Sequence, residues 1–423
     1  MLSIVKLSSI LIVTVFIVLL PALSVAVIEI VFAPILAAGN NALLNEKLLF
    51  EIDGLAGTGK SVLIAAILNE LGLPYHQYMP MAYTGQASII MRTKGFITAR
   101  SIHSSLYEVV ETFNPDDSIT ARFGIPAKKR EFRLKKFIDP SIRLFFIDEA
   151  YMVPKRMVQD ILSFGVKTIV CGDAHQLPPV GDDPGFLTGY GIHHLTQLMR
   201  QSTDNPIIYL ANRVIEGLPI HNGLYGNDVL VIDEDEVIPQ MFGCVDCTCC
   251  GTNKTRESVN NYVRNLAGFH GILPHAGERV ICRNNNWDIN IDGIALANGL
   301  CGTVLNNPVG FRGDTFNIDF LPDLTPNVFP GINVNYKYFS APADQKNALK
   351  NSYERKYMQG EFFDYAYALT THLSQGGEYN NVMYIEEFLQ QQIQKQLNYT
   401  GITRAKNKLI YVKKKKKIWS GGF

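Results

Sequence analysis

The chain has 423 residues, 47% of them hydrophobic and 18% charged, enough apolar mass for two or three globular domains. Its 39 basic and 39 acidic residues cancel, which excludes a global basic field as the means of holding a polyanion and leaves that task to a local groove. Seven cysteines, an odd count, exclude a fully paired disulfide framework and read as reduced thiols of an intracellular protein.

In chain order the first feature is an apolar segment, residues 1–38, in which Glu29 is the only charge between Leu7 and Ala38. Its length and hydropathy fit a membrane helix or a signal-like segment behind Lys6. An anchor over residues 7–38 that leaves the following chain in the cytoplasm is compatible with what comes next, and so is a hairpin bent at Pro21. A cytoplasmic location, that of the host if the gene is viral, is expected for the remainder.

Leu48 to Ile52 reads as a short buried strand and Ser61 to Leu71 as a helix rich in Val, Leu, Ile and Ala. Between them, Gly54-Leu55-Ala56-Gly57-Thr58-Gly59-Lys60-Ser61 fits the phosphate-loop pattern G-x-x-x-x-G-K-[ST] at every constrained position. The strand–loop–helix context is what gives the pattern meaning. The loop from Gly54 through Ala56, Gly57, Thr58 and Gly59 can curl backbone N–H groups around phosphate oxygens, and the helix start adds its positive dipole end. Lys60 is expected to reach the β- and γ-phosphates of ATP, and Ser61 to bind Mg²⁺.

Tyr75 to Met81 reads as a second strand, followed by a polar loop at Thr84-Gly85-Gln86-Ala87 and a second at Ser101-Ile102-His103. Residues 111–140 read as an insertion with a basic run, Lys128 to Lys136, interleaved with aromatic and apolar residues. It is either a solvated surface hairpin or a phosphate-contacting element beside a nucleic-acid track. Leu144 to Ala150 is an apolar strand ending in two acids, Asp148 and Glu149. Adjacent carboxylates at the end of a buried strand are costly unless they are used. Downstream of a phosphate loop they read as a metal-holding Asp148 and a water-orienting Glu149. A further strand, Lys167 to Asp173, runs into a proline-stiffened loop carrying Gln176, which is placed to sense the γ-phosphate.

A domain boundary is expected near Asn205-Pro206. The second half opens with strand-like Val229 to Ile232 and holds the cluster Cys244, Cys247, Cys249 and Cys250. That cluster is either a metal site or thiols near a buried strand, and no second Cys or His pair follows at the usual zinc spacing. Residues 305–362 read as a small inserted β-module. Tyr365 to Glu378 and Tyr399 to Lys406 are followed by a last strand and five lysines, Lys413 to Lys417.

The order of these motifs resembles superfamily 1 helicases, within them the RecD/Dda-like branch, over residues 48 to 412. The resemblance implies an α/β fold of two RecA-like P-loop domains with parallel sheets: 39–205 with an insertion at 111–140, and 206–412 with an SH3-like β insertion at 305–362. A basic tail, 413–423, closes the chain. It implies ATP and Mg²⁺ as cofactors, with Lys60, Asp148, Glu149, Gln176, Arg200 and Arg404 catalytic. Arg200 and Arg404 would meet the γ-phosphate, Arg404 from the second domain. Gly377 and Glu378 join the nucleotide-binding loop residues, and Ser61 and Asp148 hold the metal. Single-stranded DNA would touch Thr84, Gly85, His103, Thr371 and His372, with unwinding 5′ to 3′ in replication, recombination or repair. RNA as the polymer, as in the viral arm of the superfamily, and a membrane-tethered ATP switch that does not translocate are the alternatives. Two departures stand out: no Gln occurs before Gln77 to read adenine, and Leu373 stands where a Lys is common.

Overall fold

The computed structural model describes residues 49–113, 128–189, 191–195, 205–291, 293–323, 325–351, 358–389 and 391–415. The apolar segment 1–38, the tip of the 111–140 insertion and Arg200 lie outside the described residues. Among the described residues no helix is long and apolar enough to cross a membrane. The fold is α/β, as the sequence predicts, and the chain divides into two compact units. One joins the stretch up to Met81 to Phe137–Tyr209, and the other joins Ala82–Lys136 to the chain from Leu210 onward.

In the first unit five strands, β1 (Leu49–Gly54), β2 (Tyr78–Ala82), β3 (Leu144–Asp148), β4 (Lys167–Gly172) and β5 (His193–Leu195), lie in the order β2-β3-β4-β1-β5. β1 runs parallel to β4 with Leu49 opposite Thr168 and Asp53 opposite Gly172, and parallel to β5 with Gly54 opposite Leu195. β3 is parallel to β4. All five residues of β3 are buried, as expected for a parallel strand covered on both faces. The helix Lys60–Glu70 covers the sheet with Leu63, Ile64, Ile67 and Leu68. Because the strands are parallel, their C-terminal ends share one edge, and every strand-borne group of the phosphate site falls there.

The second unit has its own sheet, β6 (Gly223–Tyr225), β7 (Val229–Asp233), β8 (Cys247–Cys250), β9 (Ala368–Thr370), β10 (Tyr379–Ile385) and β11 (Ala405–Lys413), in the order β9-β8-β10-β11-β7-β6. Every pairing is parallel except β7 with β6. Cys247, Cys249 and Cys250 are buried in β8 while Cys244 is exposed, and among the described residues no cluster of three or more His, Cys, Asp or Glu side chains is arranged to hold a metal ion. An antiparallel sheet adds strands 279–282, 301–304, 309–312, 315–322, 329–335 and 363–365. It closes over Phe316, Phe320, Phe329, Phe339 and Phe363. This module starts at Arg279, earlier than the 305–362 that composition suggests, because its first two strands pair with segments distant in sequence. The 111–140 insertion is an antiparallel hairpin, Tyr107–Phe113 against Lys128–Leu134.

Residues 82–136 belong with the second unit through close contacts. A Cβ on Gly85 would lie 2.4 Å from that of Ala297. Arg92 donates to the Gly293 carbonyl at 2.8 Å, and Phe132 meets Trp287 edge-on at 5.0 Å.

Deep in the second unit Asp364 pairs with Arg256 at 2.8 Å and with Lys346 at 2.9 Å, all three buried. Burial alone would raise the carboxyl, but Arg256, Lys346 and Arg283 outweigh it and hold the pKa down at about 2. A depressed carboxylate stabilises the fold above its unfolded value of about 3.9 and loses that contribution as pH falls through the folded value. Stability from this cluster is therefore complete above about pH 4 and is lost toward pH 2. Asp364→Asn, which strands two buried cations, is expected to cost about 3–5 kcal/mol in chemical denaturation at neutral pH and to flatten the acid limb.

Candidate nucleotide and nucleic-acid sites

The phosphate loop is shaped by its glycines. Gly57 and Gly59 sit at φ of 83° and 82°, the left-handed region that a side chain resists. Gly54 has no room for a side chain, since a Cβ would come 2.6 Å from Thr58 Oγ1 and 3.0 Å from Leu195 Cβ. Thr58 donates its hydroxyl to the Leu55 carbonyl at 2.8 Å. Lys60, the first residue of its helix, turns Nζ back on the loop and donates to the carbonyls of Gly54 at 2.6 Å and Leu55 at 3.0 Å. Its ammonium is thus held over the loop that would receive phosphate. Ser61 follows, half-buried, in the first turn of the same helix.

Asp148 ends β3, buried. One of its carboxylate oxygens accepts from the Glu149 N–H at 2.9 Å and from the Cys171 thiol at 3.2 Å. Burial, and then Asp148 itself, push the Cys171 thiol up, so it remains a donor. Glu149 has φ of 53°, an uncommon conformation for a residue with a side chain. Its turn packs against β4 so closely that a Cβ on Gly172 would lie 3.1 Å from the backbone nitrogens of Ala150 and Tyr151.

After β4, Asp173 accepts from the His175 N–H at 3.0 Å and from the Gln176 side chain at 3.4 Å, with Asp173 and Gln176 both buried. The hydrogen bond to Asp173 raises the His175 imidazole against the effect of its burial, with Asp53 helping. Asp53, directly before the phosphate loop, accepts from the Ala174 N–H at 2.9 Å and lies 3.1 Å from His194 Nδ1. Lys60, Ser61, Asp148, Glu149 and Gln176 are thus carried by one unit, on or beside the C-terminal edge of one sheet. Asp53, His194 and Cys171 were not identified from sequence. Asp53 carried the same signal as Asp148, an acid closing an apolar strand. Cys171 carried none, because a thiol in a buried strand reads as core.

In the second unit Arg404 is buried and tied to backbone, donating to the carbonyls of Gly377 at 2.8 Å and Thr400 at 3.0 Å. Glu378 pairs with Lys406 at 3.1 Å and Lys94 at 3.6 Å. Burial pushes its carboxyl up, but Lys94, Lys406 and Arg404 together bring it below the ordinary value.

Thr84 caps the helix Gly85–Thr93, accepting from the Ala87 N–H at 3.1 Å. His103 is half-buried and ringed by Tyr83, Tyr107 and Phe132 at centroid distances of 6.2, 5.4 and 5.7 Å. Phe132 is half exposed and extends this ring set to Trp287. His372 is half-buried, and burial lowers its imidazole pKa. Thr371 is fully buried and donates to the Cys250 carbonyl at 3.1 Å, so its hydroxyl holds a turn and does not face solvent. Within the basic run, Lys135 is half-buried and turned back on the chain, donating to the Ser105 carbonyl at 2.8 Å.

Comparison with known proteins adds an independent line. Residues 36–219 match an AAA domain family, and residues 365–412 match the UvrD-like helicase C-terminal domain. An uncharacterized protein of Methanocaldococcus jannaschii is 24% identical over 85% of this chain, and the chain spans about a third (36%) of that protein's length. Among solved structures, one described as Bacteroides Pif1 bound to single-stranded DNA superposes with a TM-score of 0.52 at 16% identity, over 90% of this chain and 91% of its own. A Bacteroides Pif1 complex with ADP-AlF3 and single-stranded DNA gives 0.51 at 15% over the same shares. A structure of two coordinating Pif1 helicases unwinding forked duplex DNA gives 0.54 at 16%, again over the same shares. These structures share its fold of two RecA-like domains.

The tight seat of Gly54 generates a direct test. Gly54→Ala is expected to strain the loop by about 1–3 kcal/mol, lowering the thermal unfolding temperature by a few degrees, and to weaken binding of a fluorescent ATP analogue about tenfold or more.

Proposed function

We propose that the chain is a superfamily 1 helicase of the RecD/Pif1 type, an ATP-driven motor that moves along single-stranded DNA and opens duplex ahead of it. The observation that carries this reading is the convergence of Lys60, Ser61, Asp148, Glu149 and Gln176 at one sheet edge, with Lys60, Asp148 and Gln176 held there by backbone or buried partners. In phosphoryl transfer the protein does its work by positioning and charge. Lys60 exchanges the Gly54 and Leu55 carbonyls for β- and γ-phosphate oxygens. Ser61 and Asp148 fit the oxygen ligands that Mg²⁺ prefers, and the ion, when bound, offsets charge on the transferred group. Glu149 orients the attacking water and accepts its proton, and Gln176 reports the state of the γ-phosphate. Arg200 and Arg404 neutralise charge on that phosphate.

DNA as the polymer is supported by the likeness to Bacteroides Pif1, whose structures hold single-stranded DNA. Thr84, Gly85, His103 and His372 line the path in this reading. The hairpin 107–134 and the antiparallel module flank it, with Phe132 and Trp287 offering ring faces on which bases can stack. Movement is 5′ to 3′, in replication, recombination or repair.

ATP hydrolysis measured with and without single-stranded DNA or RNA tests the reading, with Lys60→Ala as the blank. The expected outcome is strong stimulation by DNA, weaker stimulation by RNA, and loss of the stimulated rate by about 10³-fold or more in Arg404→Ala. A rate indifferent to both polymers would sink the motor. Phe132→Ala and Trp287→Ala are each expected to weaken single-stranded DNA binding by about 1–3 kcal/mol in fluorescence anisotropy.

A further inference from the structure

The loop assigned to nucleic acid and the loop assigned to nucleotide are packed against each other inside the second unit. Gly376, at φ of 72°, lies so near the helix Gly85–Thr93 that a Cβ there would come 2.7 Å from Ala87 Cβ and 3.2 Å from Thr84 Oγ1. A Cβ on Gly377 would meet Gln86 Nε2 at 2.8 Å. Gln86 is buried and its amide donates to the Tyr379 hydroxyl at 3.4 Å, while its carbonyl oxygen is buried with no partner among the described residues. At the far end of the same helix, Lys94 reaches Glu378 at 3.6 Å, and Lys406 holds the second oxygen of that carboxylate at 3.1 Å. The Gly377 carbonyl in turn accepts from Arg404 at 2.8 Å. The helix thus touches three consecutive residues of the nucleotide loop at both of its ends.

We propose that Gln86 and Lys94 are coupling residues, which make the position of Arg404 depend on whether the Thr84–Gly85 turn holds a nucleic-acid strand. The proposal rests on the reading of the chain as a nucleic-acid-dependent ATPase. Two features give it physical content. The glycines at 376 and 377 leave no side chain between the helix and the loop backbone, so a shift of the Thr84–Gln86 turn presses directly on the peptide that anchors Arg404. The buried Gln86 carbonyl without a partner makes this arrangement one that a small rotation can improve, because an unpaired buried acceptor is costly. Lys94 keeps the helix and the loop moving together through Glu378. Coupling of this kind is reciprocal: nucleotide should tighten or loosen strand binding through the same contacts.

The test uses the full chain with Gln86→Ala, Lys94→Ala and the pair, none of which touches ATP or strand in this scheme. ATPase is measured with and without a thymidine oligonucleotide, and strand binding is followed by anisotropy with and without a non-hydrolysable ATP analogue. The expected result is an unchanged basal rate and unchanged strand affinity without nucleotide. The stimulation factor falls about fivefold or more, the lower end of typical couplings, and the analogue loses its effect on strand affinity. Lys94→Arg is expected to restore most of the loss in the single variant. A stimulated wild type with equally stimulated variants overturns the coupling alone. An unstimulated wild type overturns the motor reading and the coupling with it. Should Gln86→Ala lower the unfolding temperature markedly, the solvent-reaching Lys94→Ala decides the matter by the same two readouts.

Discussion

A parallel sheet delivers the ends of all its strands to one edge, and the chemistry of the first unit depends on that constraint. β1 ends in Asp53 and Gly54, β3 in Asp148, and β4 is followed by Asp173. Three carboxylates gathered at one edge would repel, yet each is occupied. Asp53 takes a backbone N–H and an imidazole, Asp148 a backbone N–H and a thiol, Asp173 a backbone N–H and a carboxamide. These partners hold the acids at fixed positions around the loop carrying Lys60, which is the preorganisation that phosphoryl transfer requires. The left-handed glycines and the tightly packed Gly54 then decide the path of the backbone between them.

The second unit solves a different problem with the same means. Its parallel sheet supports Arg404 and the Gly377–Glu378 turn, but the neighbouring antiparallel module and the segment 82–136 are packed onto it by close backbone approach. Gly85 on Ala297 and Gly376 on Ala87 are contacts at which any larger residue would collide. Glycine here serves proximity as much as turning. The buried Asp364 with its two cations ties two helices of this unit, Asn253–Leu266 and Ala343–Asn351, to a strand of the module, an arrangement that favours one packing over others at some cost in desolvation.

Much of this was legible in the sequence wherever a local pattern had a single physical use. The phosphate loop between strand and helix, and Asp148-Glu149 at the end of an apolar run, needed no tertiary information. Thr371 and Lys135 show the limit. Both read as polar groups available to a strand, yet each is consumed by a carbonyl that only the folded chain brings near. Asp53 escapes a motif because it precedes the pattern, and its partner His194 lies on β5, brought alongside by strand pairing. The early start of the antiparallel module and the membership of 82–136 in the second unit were hidden for the same reason. They are fixed by pairings between distant segments, which no window of residues displays.

The central claim is that hydrolysis at this edge moves the protein along a strand. The most direct measurement is ATP-dependent displacement of streptavidin from single-stranded oligonucleotides carrying biotin at one end. The account predicts rapid release from the 3′ end, slow release from the 5′ end, and none with Lys60→Ala. ATP hydrolysis without release from either end would contradict it.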